Sequence, residues 1–346
     1  MAIIDKPSDY FNTVLYTGNG GTQAITGVGF KPDLSWLKDR DGTPSHVWHD
    51  VIRGVTKRIM SNNTNAEDTG SQINSFDTDG FTLSNNNNNT NGNGFAAWNW
   101  LAAGNQGSSN TNGSINTTYT SVNTTSGFSI SSYTGSGSNA TVGHGLGVTP
   151  KVILVKCVSA TGNWKMHLSF LAPITSLNLS DTSSLISTAS VFNSMATLNS
   201  TVFSVGTEGD TNSSNVNYIA YCFAEKQGFS KFGSYTGNGN ADGTFVYLGF
   251  KPAFTLFKKT NATSEWFLYD NKRLGYNVTE KVFEANTTSA EDSNSGTYID
   301  YLSNGFKLRG TSGNTNTSGS TYIYLAFAEN PFVTSTANGS IPTTAR

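Results

Sequence analysis

The residues best suited to chemistry are Trp48, His49, Asp50 and Arg53, answered later in the chain by Trp266, Asp270 and Arg273. An indole beside a carboxylate and a guanidinium suits a shallow sugar site: the ring covers the apolar face of the sugar and the charged groups bond its hydroxyls. The same set suits a strand-end ion pair beneath a packed tryptophan. Catalysis is not expected from it. His49 has no histidine counterpart in the later copy, where Leu268 and Tyr269 precede Asp270, and no serine or cysteine motif accompanies it.

Two further acidic groups invite a reading. Glu67-Asp68 and Glu291-Asp292 look like glycosidase pairs. Adjacent residues on a strand point to opposite faces, however, so this spacing does not set two carboxylates across one substrate. Asp77 and Asp79, with nearby asparagine oxygens, are oxygen ligands of the kind calcium takes, but they lack the dense alternation of a dedicated loop. The glycines of YTGNGG and YTGNGN precede no helix, so they do not cradle a phosphate. No metal and no cofactor is expected.

The elements that must position these residues come in three related copies. YTGNGGTQAITGVGFKPDLSWL begins at Tyr16, YTGSGSNATVGHGLGVTPKVILV at Tyr133, and YTGNGNADGTFVYLGFKPAFTLF at Tyr235. Each passes from an aromatic strand end through a Gly/Asn turn, a short strand and a Gly-x-x-Pro corner. An apolar run then closes on Lys38, Lys156 or Lys258. Further on, WFLYDNKRLG answers WHDVIRG, YLSNGFKLR answers FDTDGFTLS, and YIYLAFAE answers FAAWNWLA. The middle copy keeps the strands but lacks both Asp-x-x-Arg and Ala-Glu-Asp.

Strand candidates at Gly27–Phe30, Leu34–Lys38, His46–Ile52 and Lys57–Ser61 follow one another between turn signals. Asp79-Gly80 marks a hairpin. The pattern predicts an all-β chain of tandem antiparallel β-sandwiches, jelly-roll or lectin-like. Its units span 1–103, 127–226 and 227–332. Residues 104–126, rich in Gly, Ser, Asn and Thr, read as a flexible or extended linker, so units two and three should dock more rigidly than one and two. Asn85–Asn89 reads as a solvated loop tip, and 333–346 as a frayed tail. Continuous apolar runs such as VILV and YIAYCF imply strands covered on both faces, hence interfaces beyond a single sandwich core.

Composition narrows the partners. Of 346 residues 13% are charged and 12% aromatic, with a formal net charge of -2, so the basic footprint of a nucleic-acid binder is missing. No apolar run approaches a membrane span, and the N-terminus does not read as an export signal. Cys157 and Cys222 sit in apolar strand-like runs and read as buried thiols, with a disulfide left open.

The YTGNG…GFKP segments, the SFDTDGFTL and YLSNGFKLR hairpins and the closing aromatic strands together resemble a family of uncharacterised repeats in virion proteins of tailed, especially marine, phages. More loosely, they are similar to lectin-like, concanavalin- or SPRY-like sandwiches. The resemblance covers nearly the whole chain. It implies a non-enzymatic virion protein on the particle surface, made in the host cytoplasm and acting as tail fibre, receptor-binding knob or capsid decoration. The implied partners are other virion proteins of capsid or tail and host-surface glycan, with no nucleic acid and no membrane insertion. A closed homo-oligomer, such as a trimer, is expected from symmetric sites on a particle. The rivals are a glycan-degrading virion enzyme and a stand-alone lectin. No tail-docking segment or fibrous shaft is evident, which favours a compact knob or decoration.

Overall fold

The computed structural model describes residues 3–70, 73–84, 87–293 and 296–334. Strands make up 43% of the chain and helix 4%, arranged as antiparallel sheets that form no barrel. Each repeat builds a large sheet and a small one. In the first, the large sheet runs in spatial order Phe11–Thr17, Gly94–Trp100, Leu34–Asp39, Val47–Asp50 and Ile59–Met60. Its small sheet is Gln23–Ile25, Gly80–Leu83 and Ile73–Asp77. The same central order recurs as Phe128–Thr134, Asn217–Phe223, Val152–Cys157 and Trp164–Leu168, and again as Ser230–Thr236, Thr321–Pro331, Phe250–Lys259 and Trp266–Asp270. The Gly-x-x-Pro corner turns the chain from the small sheet to the large.

The closing lysine runs are buried at every position, Leu34–Asp39 and Val152–Cys157 alike. One face of each large sheet packs on its own small sheet, giving three separate cores. The other faces meet in one common core to which all three repeats contribute. Register identifies the matching residues: Leu34, Val152 and Phe254 lie opposite Trp100, Phe223 and Phe327. Those three partners touch one another, with centroids 6.5 Å apart for Trp100–Phe223, 5.6 Å for Trp100–Phe327 and 5.7 Å for Phe223–Phe327. Equivalent residues in mutual contact define a pseudo-threefold axis, and the chain is a ring of three sandwiches around it.

The repeated Tyr-Thr-Gly-x-Gly turn has a common physical cause. Tyr16, Tyr133 and Tyr235 stack on their cross-strand partners Phe95, Tyr218 and Tyr322 at 5.0, 5.3 and 5.1 Å. Their hydroxyls donate to the backbone carbonyls of Asn88, Thr211 and Thr315. The next residues, Asn89, Asn212 and Asn316, are buried amides that clamp the turn. Asn316, for example, donates to Asn240 O at 2.8 Å and Gly310 O at 2.9 Å and accepts from the Asn238 N–H. The first glycine of the motif must lack a side chain: a Cβ on Gly18 would lie 2.2 Å from Thr90 O. The second takes a left-handed backbone, with φ near 70° at Gly20, Gly137 and Gly239.

Several expectations change. Asn88 and Asn89 are buried rather than solvated, because the first repeat uses them as its clamp; Asn85 and Asn86 lie outside the described residues. Gly27 and Gly29 have φ of 88° and 89°, so the segment predicted as strand Gly27–Phe30 turns, and the strand is Gln23–Ile25. Residues 104–126 are not a free linker. Tyr119–Asn123 forms the edge strand beside Phe128–Thr134, Ser108 bridges to Thr120, and Ile115 bridges to Val142. Cys157 and Cys222 are free and buried. They lie on paired strands where Cys222 faces Ile153, four residues or roughly 13 Å along the strand from Cys157, beyond disulfide reach. Of the tail, 335–346 lies outside the described residues.

A shared core implies that no repeat is self-sufficient. Residues 127–226 expressed alone should give a loosely packed or aggregating species, with weak near-ultraviolet circular dichroism and without cooperative melting. A cooperatively melting monomer would contradict the common core.

Candidate functional site

The acid, guanidinium and indole groups sit at the joints of the ring. Asp50 ends a strand, and its Oδ1 accepts from the N–H groups of Ile52 and Arg53 at 3.1 and 2.9 Å, fixing the turn. Arg53 folds back so that Nε donates to Asp50 Oδ2 at 2.5 Å and Nη2 to Trp48 O at 3.0 Å. Asp270 and Arg273 repeat this clip, with Nε to Oδ2 at 2.6 Å and Nη2 to Leu268 O at 3.0 Å. Burial disfavours the Arg53 charge, but Asp50, Tyr221 and Glu67 outweigh it and move its pKa up.

Each clip takes one more donor from the next repeat. Tyr221 donates its hydroxyl to Asp50 Oδ2 at 2.7 Å, and Trp98 Nε1 donates to Asp270 Oδ2 at 3.1 Å. Register makes Trp98, Tyr221 and Leu325 equivalent, as it does Asp50, Leu168 and Asp270. The third joint therefore offers two leucines, both in the common core, where the other two offer donor and acceptor.

Register also corrects one correspondence. Extending the pairing of Leu37 with Val47 by one step sets Lys38 against His46, as Lys156 faces Trp164 and Lys258 faces Trp266. Trp266 thus answers His46, and Trp48 answers Leu268. Trp164 Nε1 donates to Met60 O and Trp266 Nε1 to Asn178 O, each at 2.8 Å and each across a joint. His46 occupies the matching place facing Glu284 of the third repeat, whose backbone carbonyl supports its proton affinity, although Nε2 falls outside hydrogen-bonding geometry. Its Nδ1 accepts from Trp36 Nε1 at 3.0 Å. Burial, Lys38 and Arg273 hold this imidazole neutral, well below the usual histidine range.

The three lysines close the ring. Lys38 Nζ donates to Thr288 O at 3.3 Å, Lys156 to Thr64 O at 3.3 Å, and Lys258 to Thr182 O at 3.1 Å, each in the preceding repeat around the ring. All three are buried, and burial pushes each down to about 8. Backbone bonds run alongside, from Glu67 N to Val158 O, Leu185 N to Thr260 O, and Glu291 N to Arg40 O. At this last joint, between the third and first repeats, Arg40 also forks onto Glu291 at 2.9 and 3.0 Å.

A sugar platform needs an open ring face, and Trp48 is 3% exposed and Trp266 0%. His49 is buried, its Nδ1 lies 3.0 Å from Lys57 O, and burial with Arg53 lowers it to about 3. Glu67 meets Lys57 at 3.1 Å and Arg53 at 3.7 Å, whereas Asp68 meets Arg58 at 2.6 Å. Asp77 accepts from Ser75 and Thr82, and Asp79 from the N–H groups of Gly27 and Gly29. Sequence reasoning missed Lys38, Lys156 and Lys258 as cross-joint donors, though it recorded their repetition. It read Asn89 as solvent-facing and missed Asn212 and Asn316 altogether; each stands six residues before the aromatic that stacks on the motif tyrosine.

The chain belongs to a family described as a domain of unknown function, DUF7483, whose model matches residues 6–331. No curated protein matches it.

Asp50→Ala strands the buried Arg53 and should cost about 3–5 kcal/mol of stability. Tyr221→Phe removes one cross-joint bond and should cost about 1–3 kcal/mol; equal losses in denaturant titrations would contradict the assignment. The lysines give a pH signature. Their folded pKa lies below the unfolded value of 10.5, so between pH 8 and 10.5 the native state has shed protons that the unfolded chain retains, and stability rises with pH. The Tm of the wild type minus that of Lys156→Met should therefore grow from pH 8 to 10. A constant difference would mean that the ammonium is not desolvated. Cys222 and the buried tyrosines titrate in both proteins and cancel, and loss of Lys156 raises the Cys157 thiol further, which moves the difference in the same direction.

Proposed function

We propose that this chain is a non-enzymatic structural protein of a phage particle, a compact surface appendage such as a receptor-binding knob, tail-fibre tip or capsid decoration. It contacts neighbouring capsid or tail proteins through the outside of its ring, and host-surface glycan through its loops and strand ends. The observation that carries the reading is the use made of the chemically capable residues: Asp50 and Asp270 clip Arg53 and Arg273 and each takes a further donor across a joint, the three lysines donate to backbone carbonyls across the joints, and together they define a shape. The resemblance of the repeated segments to virion repeats supplies the setting.

A single chain with pseudo-threefold form can occupy a place that other appendages fill with three chains. Further copies would then associate through outer surfaces rather than through the common core. A low proportion of charge and abundant Asn, Ser, Thr and Gly keep such a surface hydrated.

Mass spectrometry and cryo-electron microscopy of purified particles should find the chain in a fixed ratio to the capsid protein, as compact density at the particle surface. Absence from intact particles would defeat the reading. Incubation with host polysaccharide should release no reducing sugar; release abolished by one carboxylate substitution would favour the enzyme instead.

A further inference from the structure

We propose that a cleft in the third repeat, beside Tyr247, binds an acidic saccharide. This deepens the glycan-binding half of the function above and names its ligand class. The cleft encloses about 330 Å³ between the small-sheet edge strand Phe245–Tyr247 and the turn that joins the second repeat to the third. Tyr247 is 53% exposed and Phe245 44%, on a strand whose middle residue, Val246, points into the core.

The pseudo-threefold supplies an internal control. Val246 pairs with Phe306 as Ile25 pairs with Phe81 and Val142 with Phe203. The positions flanking Val246 therefore answer Ala24 and Thr26 in the first repeat, and Thr141 and Gly143 in the second. Two copies fold with small residues there, so folding does not require the exposed aromatics of the third. A half-exposed tyrosine ring next to polar groups is a surface on which a saccharide ring stacks.

Charge narrows the class. Lys226 and Lys231 line the cleft, and neither has an ion-pair partner among the described residues. Among the described residues Glu225 is the one carboxylate lining it, and its Oε1 already accepts from the Phe232 N–H at 2.8 Å. Lys231 Nζ donates to Tyr247 O at 2.8 Å and lies 5.3 Å from the ring centroid, so it fixes the tyrosine. The turn holding Lys226 is set by the N–H groups of Phe229 and Ser230, both donating to its carbonyl at 3.0 Å. Groups held in place before binding lose little freedom on binding. Two lysines beside one occupied carboxylate favour a sugar that carries its own carboxylate.

The test uses the full chain with oligogalacturonate as the acidic probe and maltohexaose as the neutral one, measured by isothermal titration calorimetry. Oligogalacturonate should bind, at least tenfold more weakly to Tyr247→Ala and to Lys226→Gln, and more weakly as salt rises. Unchanged melting of both variants would confirm that they fold. No binding by the wild type, equal binding of maltohexaose, or full affinity in Tyr247→Ala would overturn the proposal. Those results leave a protein found on particles as an appendage without this cleft. Absence from particles combined with binding leaves the cleft and removes the setting.

Discussion

A sheet that is apolar on both faces must be covered twice, and this requirement organises the molecule. Leu34–Asp39, Val152–Cys157 and Phe250–Lys259 are each buried almost throughout, yet each repeat owns a single small sheet with which to cover them. Three such sheets cover one another by turning their second faces to a common axis, where Trp100, Phe223 and Phe327 meet. Removing any one repeat from this ring would uncover part of the common core of the other two. In the ring of three none of the large sheets is left half covered.

Enclosing those faces traps polar groups that the strands cannot avoid bringing with them, and the ring satisfies several of them across its joints. The arrangement is head-to-tail: the lysine, the strand-start ring and the donor of one repeat all reach the preceding repeat, and the third repeat's acceptors serve the first. Such contacts close only if the rotation returns to its start. Two joints are also linked by the polypeptide. The joint between the third repeat and the first is not, and there Arg40 grips Glu291 through two nitrogens, where the corresponding positions at the other joints hold Val158 with Glu67 and Thr260 with Leu185. The charge pair stands where covalent connection is missing.

Much of this was legible in the sequence. Continuous runs such as VILV announced strands covered on both faces, and the Tyr-Thr-Gly-x-Gly copies announced three like units with the hairpin at Asp79-Gly80. The joints were less legible because composition carries no direction. Trp48 and Trp266 look like counterparts by type and by nearness to Asp-x-x-Arg, but register places them two residues apart, on different sides of a joint. The buried asparagines were hidden for a related reason. Asn88 and Asn89 stand in a polar run that reads as solvent-facing, and only the tertiary approach of the Gly18 turn takes them out of water.

The divergent middle repeat shows how tightly the joints are coupled. Leu168 stands where Asp50 and Asp270 stand, and taken alone that change removes a turn cap and an arginine clip. In a head-to-tail ring the acceptor's donor belongs to the next repeat, so a leucine at 168 would leave a donor at 325 buried without a partner, a cost of about 1–3 kcal/mol. Position 325 is itself leucine, in register with Trp98 and Tyr221. The loss in one repeat is thus matched by a loss in its neighbour, and the joint is apolar throughout rather than half polar. Each joint behaves as one chemical unit shared between two repeats, and the identity of a residue in one copy is set by its partner in the next. Resemblance among the copies therefore holds in the tyrosine–asparagine clamps and the cross-joint lysines, and breaks at the Asp-x-x-Arg clip, whose further donor belongs to the next repeat.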